Sequence, residues 1–205
     1  MSPQGQPVAQ RRTDQTTSEH EDAQPRSAGG SFAVRVLCSG SLASVLSTLA
    51  VSVFSRRRSR AAAAGTNAAS QWFWYPRARH VARPSLRYTA TGYAVHHASS
   101  LLWAATYEAT RPARAGLEGQ LARATATAAL AYVVDYHVVP RRLSPGFEHR
   151  IGAAGVVTAY AAFGLGLLLA SRCAMRAKAR GAVNPAPARQ SGPARTGQAA
   201  RSRDR

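Results

Sequence analysis

Residues 151–171 read IGAAGVVTAYAAFGLGLLLAS, an unbroken run that holds no Lys, Arg, Asp or Glu. A helix rises about 1.5 Å per residue, so about 20 such residues cross the roughly 30 Å hydrocarbon core of a bilayer. This stretch sets the first expectation, an integral membrane protein. Three further segments extend it. Phe32 to Phe54 is free of charge after Arg35, and Tyr88 to Tyr107 carries no Lys, Arg, Asp or Glu although His96 and His97 sit near its middle. The third segment is shorter, with an uncharged core from Ala124 to Val134 that Asp135 interrupts. It reads either as a span or as a buried or re-entrant piece. The expected fold is all-α: one membrane domain over 32–171, a bundle of about four transmembrane helices at about 32–54, 88–107, 121–139 and 147–171.

The ends read differently from the middle, which is why a mean hydropathy of −0.22 conceals the apolar runs. Residues 1–31 are polar and residues 172–205 are Ala, Arg, Pro and Gly with almost nothing to bury. Such segments cannot offset their chain entropy by packing, so both are expected to be disordered. A net charge of +18 raises nucleic acid as a partner, but the position of the charge argues against it. Arg56, Arg57, Arg58, Arg60, Arg77, Arg79, Arg83 and Arg87 stand in one acid-free loop, and nine more basic residues follow Ser171. The expected partners are the lipid bilayer and, through the basic loop and tail, anionic lipid head groups; nucleic acid is not expected.

Orientation follows from the same residues. The positive-inside rule puts the first loop in the cytoplasm together with Arg141, Arg142 and Arg150. Four spans then leave the N-terminus and the basic C-terminal tail outside, whereas three spans bring both basic regions inside; the four-span arrangement is the expectation. The two cysteines, Cys38 and Cys173, form no spaced framework, and no signal peptide precedes the first apolar run, so an uncleaved first helix in the cell inner membrane is expected.

Small residues recur four apart: Gly40, Ser44, Thr48 and Ser52, then Ala124 and Ala128, then Gly155 and Ala159, and Ala162 and Gly166. Close backbone approach along such ridges holds helices together in lipid, though an Ala-rich composition also produces them by chance. Pro112 and Pro140 close the second and third segments. Ser144-Pro145 reads as an N-cap with proline in the first helical position, and Glu148 falls in the first turn. Trp72, Phe73, Trp74 and Tyr75, bordered by Arg77 and Arg79, resemble an interfacial belt.

In any up-down bundle of four, the first and third loops share a face. Asn67, Trp72, Trp74, Asp135, Arg142 and Glu148 therefore converge on one side. Asp135 is the leading candidate, because a carboxylate at the centre of a membrane helix costs about 2.5 kcal/mol or more and normally has a partner or a task. It is expected to point into the bundle, either as a proton or cation site with Arg87, His97 or His137, or as a structural ion pair with Arg87 or Arg141. His97, Ser100, Ala104 and Glu108 make one helical stripe, while Arg35 and Glu108 are expected to pair on the opposite face. A metal or haem site lacks a second well-placed histidine, and no nucleophile with its base or phosphate loop is visible. No cofactor, no metal and no catalytic residue are expected.

The segments Asn67-Ala68-Ala69-Ser70-Gln71-Trp72-Phe73-Trp74, His96-His97-Ala98-Ser99-Ser100 with Trp103, Ala104 and Glu108, and Val134-Asp135-Tyr136 leading to Pro140-Arg141-Arg142-Leu143-Ser144-Pro145-Gly146-Phe147-Glu148 resemble a family of small, uncharacterised proteobacterial inner-membrane proteins over roughly residues 35–170. That family prefers His where Gln71 stands and Gly where Tyr75 stands. The resemblance implies a multi-pass membrane location and a helical fold and supplies no mechanism. Two functional expectations follow: a non-enzymatic structural or partner-binding membrane protein, or a small transporter or channel-like protein with a polar route lined by Asp135 and His97, working as a homo-oligomer because four short helices enclose little space.

Overall fold

The computed structural model describes residues 26–112 and 116–183, and every regular element among them is helical. Four long helices dominate: α1 (Arg26–Ser59), α4 (Thr91–Ala109), α5 (Leu117–Val133) and α6 (Glu148–Val183). Two short ones, α2 (Ala63–Ala69) and α3 (Gln71–Trp74), occupy the first loop. A single π turn at Leu86–Ala90 leads into α4 and another at Val134–Val138 ends α5. The first and last helices reach beyond the expected limits at 32 and 171, so parts of both expected tails are helical. The rest of each tail lies outside the described residues.

Local sequence explains most of the boundaries. After Pro84, Ser85 Oγ accepts from the Tyr88 amide at 3.1 Å while Thr89 Oγ1 accepts from the Ser85 amide at 2.9 Å, a reciprocal cap. Pro140 ends the run after Val139. The expected cap at Ser144-Pro145 does not form. Gly146 turns the chain with φ of 77°, and α6 starts only when the Phe147 carbonyl takes the amides of Arg150 and Ile151. Ser144 Oγ instead donates to the Arg141 carbonyl at 2.9 Å. One turn later Gly152, at φ 70° and ψ 177°, kinks α6, a conformation glycine adopts without strain.

All neighbouring long helices run antiparallel. Gly166 meets Ala43 and Gly155 meets Phe54 between α6 and α1; Gly40 meets Leu101 and Ala104 between α1 and α4; Gly164 meets Ala124 and Ala128 between α6 and α5. A Cβ at Gly166 would stand 2.4 Å from the Ala43 Cα, so the small-residue ridges are where backbones touch. The first loop does not stay outside the helices. From the Gly65 amide on Ser55 Oγ, 3.0 Å, α2 doubles back along α1 until Thr66 and Ala69 share a small void with Thr48 and His96. Ala64 to Gln71 are consequently all buried.

Around an apolar core that includes Val51, Phe163 and Leu167, the helices also bury small polar residues while exposing large apolar ones. Along α1, Ser39, Ser44, Ser47 and Ser55 are buried, while Val34, Leu37, Val45, Leu49 and Val53 are exposed. Leu102, Leu130, Val157, Leu165 and Leu169 are exposed on the other helices, and Ser100, Thr127 and Ser171 are buried. Two helical stretches among the described residues, Phe32–Ser59 and Glu148–Ala174, are long and apolar enough to cross a membrane. Helices α4 and α5 are shorter, and α5 carries Arg123.

Candidate functional site: a cavity inside the bundle

Halfway along the bundle all four long helices and the first loop surround a cavity of about 60 Å³. One water needs about 10–15 Å³ of such space, so a few waters or one small organic group would fill it. Helix α1 contributes Ser47, α4 contributes His96, Ser99, Ser100 and Trp103, the end of α5 contributes Asp135, and α6 contributes Tyr160 and Phe163. Trp72, Leu143, Pro145 and Phe147 close it from the two loops.

Its polar groups are held in place. Ser47 Oγ lies 2.8 Å from the Ala43 carbonyl and 2.8 Å from His96 Nε2. A carbonyl only accepts, so the single hydroxyl proton goes to Ala43 and the Ser47 oxygen accepts from Nε2–H. Ser100 Oγ donates to the His96 carbonyl at 2.8 Å. Asp135 Oδ2 accepts from the Tyr160 hydroxyl at 2.6 Å, a short bond. Behind that pair, Tyr132, Tyr136 and Tyr160 pack ring against ring with centroids 5.2 to 6.2 Å apart. Asp135 makes no ion pair among the described residues, so the expected pairing with Arg87, His97, His137 or Arg141 is replaced by a neutral phenol. His137 turns outward against Tyr132, ring centroids 5.7 Å apart, and Arg87 lies over Trp74.

The expected face does assemble, and its members divide. Asn67, wholly buried, donates to the carbonyls of Val81 and Arg83 at 3.0 Å each and accepts from Thr89 Oγ1 at 2.6 Å. Trp72 Nε1 donates to the Leu143 carbonyl at 2.8 Å, which fixes its ring at the cavity wall. Trp74 faces outward between Phe73 and Tyr88 with the Arg87 guanidinium 5.1 Å from its centroid. Glu148 accepts from Tyr136 OH at 3.4 Å and lies beside His149. Arg142 is exposed on the third loop. Glu108 belongs to the opposite end, where Arg35 Nε at 3.1 Å and Arg111 Nη1 at 3.4 Å hold it, as expected for the Arg35 pair.

His97 does not reach the cavity. It stacks on Tyr93 at 5.7 Å with its buried Nδ1 lacking a hydrogen-bond partner among the described residues, and His96 takes the inward place. Gly92, Ser100, Ala104 and Glu108 are the buried row of α4, and His96 lies on it at four-residue spacing. A Cβ at Gly92 would stand 2.0 Å from the Thr66 carbonyl, so the close approach of α2 fixes which side of α4 faces in. Ser47 and Tyr160 also line the cavity without having been singled out in the sequence. Tyr160 alone had a visible signal, as the one hydroxylated aromatic in the apolar run 151–171.

No group of three or more potential metal-ligating side chains occurs among the described residues. Comparison with protein-family models, curated proteins and solved structures finds no match. The family resemblance therefore rests on its quoted residues alone.

Proposed function

We propose that the chain is a four-span protein of the bacterial inner membrane whose central cavity binds a small solute, the transporter-like reading rather than the purely structural one. The apolar exterior supports the membrane placement. Exposed Leu and Val on every long helix would cost hydration in water and cost nothing against acyl chains, while the buried Ser and Thr need protein partners in lipid. The polar helices α4 and α5 are tolerated in that setting because their Ser100, Glu108 and Thr127 face inward. The exposed Arg56, Arg57, Arg58, Arg60, Arg83, Arg141 and Arg142 at one end suit a cytoplasmic leaflet of anionic lipid.

One observation carries the solute reading: Asp135, a carboxylate without a cationic partner among the described residues, lines the cavity. A purely structural carboxylate is expected to sit in a tight ion pair, as Glu108 does. The test is Asp135→Asn in the full chain. Loss of solute or proton flux at normal abundance supports the reading, and falling abundance with no selective flux defect would return Asp135 to a structural role.

A further inference from the structure

We propose that the ligand of this cavity is a small organic cation, an amine or quaternary ammonium group, a reading that rests on the solute-binding role above. The cavity holds one carboxylate and its walls are aromatic: Trp72, Trp103, Phe147, Phe163 and Tyr160. Aromatic faces attract a cation through the ring quadrupole and tolerate partial loss of its water, and Trp does so best. A metal ion would demand several oxygen or nitrogen ligands, and no group of three or more potential metal-ligating side chains occurs among the described residues. Asp135 is the one carboxylate of the cavity wall, and the Tyr160 hydroxyl donates to it. A weakly hydrated organic ammonium needs charge and contact rather than a coordination shell, and this is what the walls offer. An anion finds no Lys or Arg among the described residues that line the cavity, and the nearby Arg79 guanidinium is turned to Gln71 Oε1.

Size and access agree with the assignment. The volume of about 60 Å³ suits a small head group. Trp72, Val95 and Ser99 also line a wider groove along the outside of α4 with Phe73, Ala94 and Leu102, so the cavity wall is thin on the lipid side at Trp72.

The experiment uses the purified full chain in lipid nanodiscs with methylammonium and tetramethylammonium as probes, read by tryptophan fluorescence in a Trp74→Phe background so that Trp72 and Trp103 report. Saturable binding is expected for at least one cation, with no saturable response to acetate or tert-butanol. Asp135→Asn should weaken it by about tenfold or more, as loss of a charge-assisted contact does, and Trp103→Leu by a few-fold at least. Thermal unfolding of each variant separates a lost ligand contact from a lost fold, and Asp135→Glu, which keeps the charge, should retain cation selectivity if the variant with Asn fails to fold. Binding of acetate or tert-butanol in place of the cations would overturn the cation class and leave the solute cavity standing. Absence of any saturable response from a folded protein would overturn both readings.

Discussion

Asn67 and Gln71, one helical turn apart and both wholly buried, tie the first loop together from opposite ends. Asn67 satisfies two carbonyls and a hydroxyl, while Gln71 Nε2 serves Ser144 and Arg141 and its Oε1 takes Arg79 Nε. Truncation leaves each of those buried groups unpaired at about 1–3 kcal/mol apiece. Asn67→Ala is therefore expected to lower stability by about 2–4 kcal/mol, seen as a reduced unfolding temperature in detergent; an unchanged temperature would mean that the loop is held elsewhere. Glu108 gives a weaker contrast. Its side chain is 2% exposed while Arg35 and Arg111 keep 33% and 21%, so the two guanidinium groups can turn to water when Glu108→Gln removes the charge. A loss of about 1–2 kcal/mol is expected, against the 3–5 of a wholly buried pair.

Among the long helices, α1 and α6 make the closest glycine-mediated backbone approach, at Gly166 against Ala43. Gly166→Ala would drive a methyl onto the Ala43 backbone and should cost about 1–3 kcal/mol by overpacking. Gly116→Ala, at a position with open space around it, should stay within about 0.5 kcal/mol of the parent. Equal effects in the two variants, measured by abundance and unfolding temperature, would remove the ridge from the account of the bundle. From the ridge Gly40, Ser44, Thr48 and Ser52, Gly40 meets α4 and Thr48 shares a void with α2.

At the scale of the whole molecule, the four-span proposal makes a parity statement. Reporters in the exposed Arg83-Pro84 stretch and after Arg205 should read opposite sides of the membrane, because three spans would separate them. The same side would mean that α5 does not cross. The stretch from Ala64 to Gln71 is a poor place for such a fusion, since it is buried in the bundle. Retention of the full chain in the membrane pellet in alkaline carbonate is expected on the same ground, because the exposed Leu and Val would otherwise meet water.

What the sequence determined by itself was the placement of the long helices and the convergence of the first and third loops, because apolar run length, proline and antiparallel connectivity act locally or by parity. Asp135 was legible for the same reason, as a charge where charge is costly. The inward histidine was not: His96 and His97 each continue a row of small residues, and only the docking of α2 on Gly92 selects between them. Nor was the partner of Asp135, since a phenol on α6 becomes its neighbour only once α5 and α6 pack. The sequence marked the carboxylate, and the tertiary structure decided that it meets Tyr160 in a cavity, because that cavity belongs to no single helix.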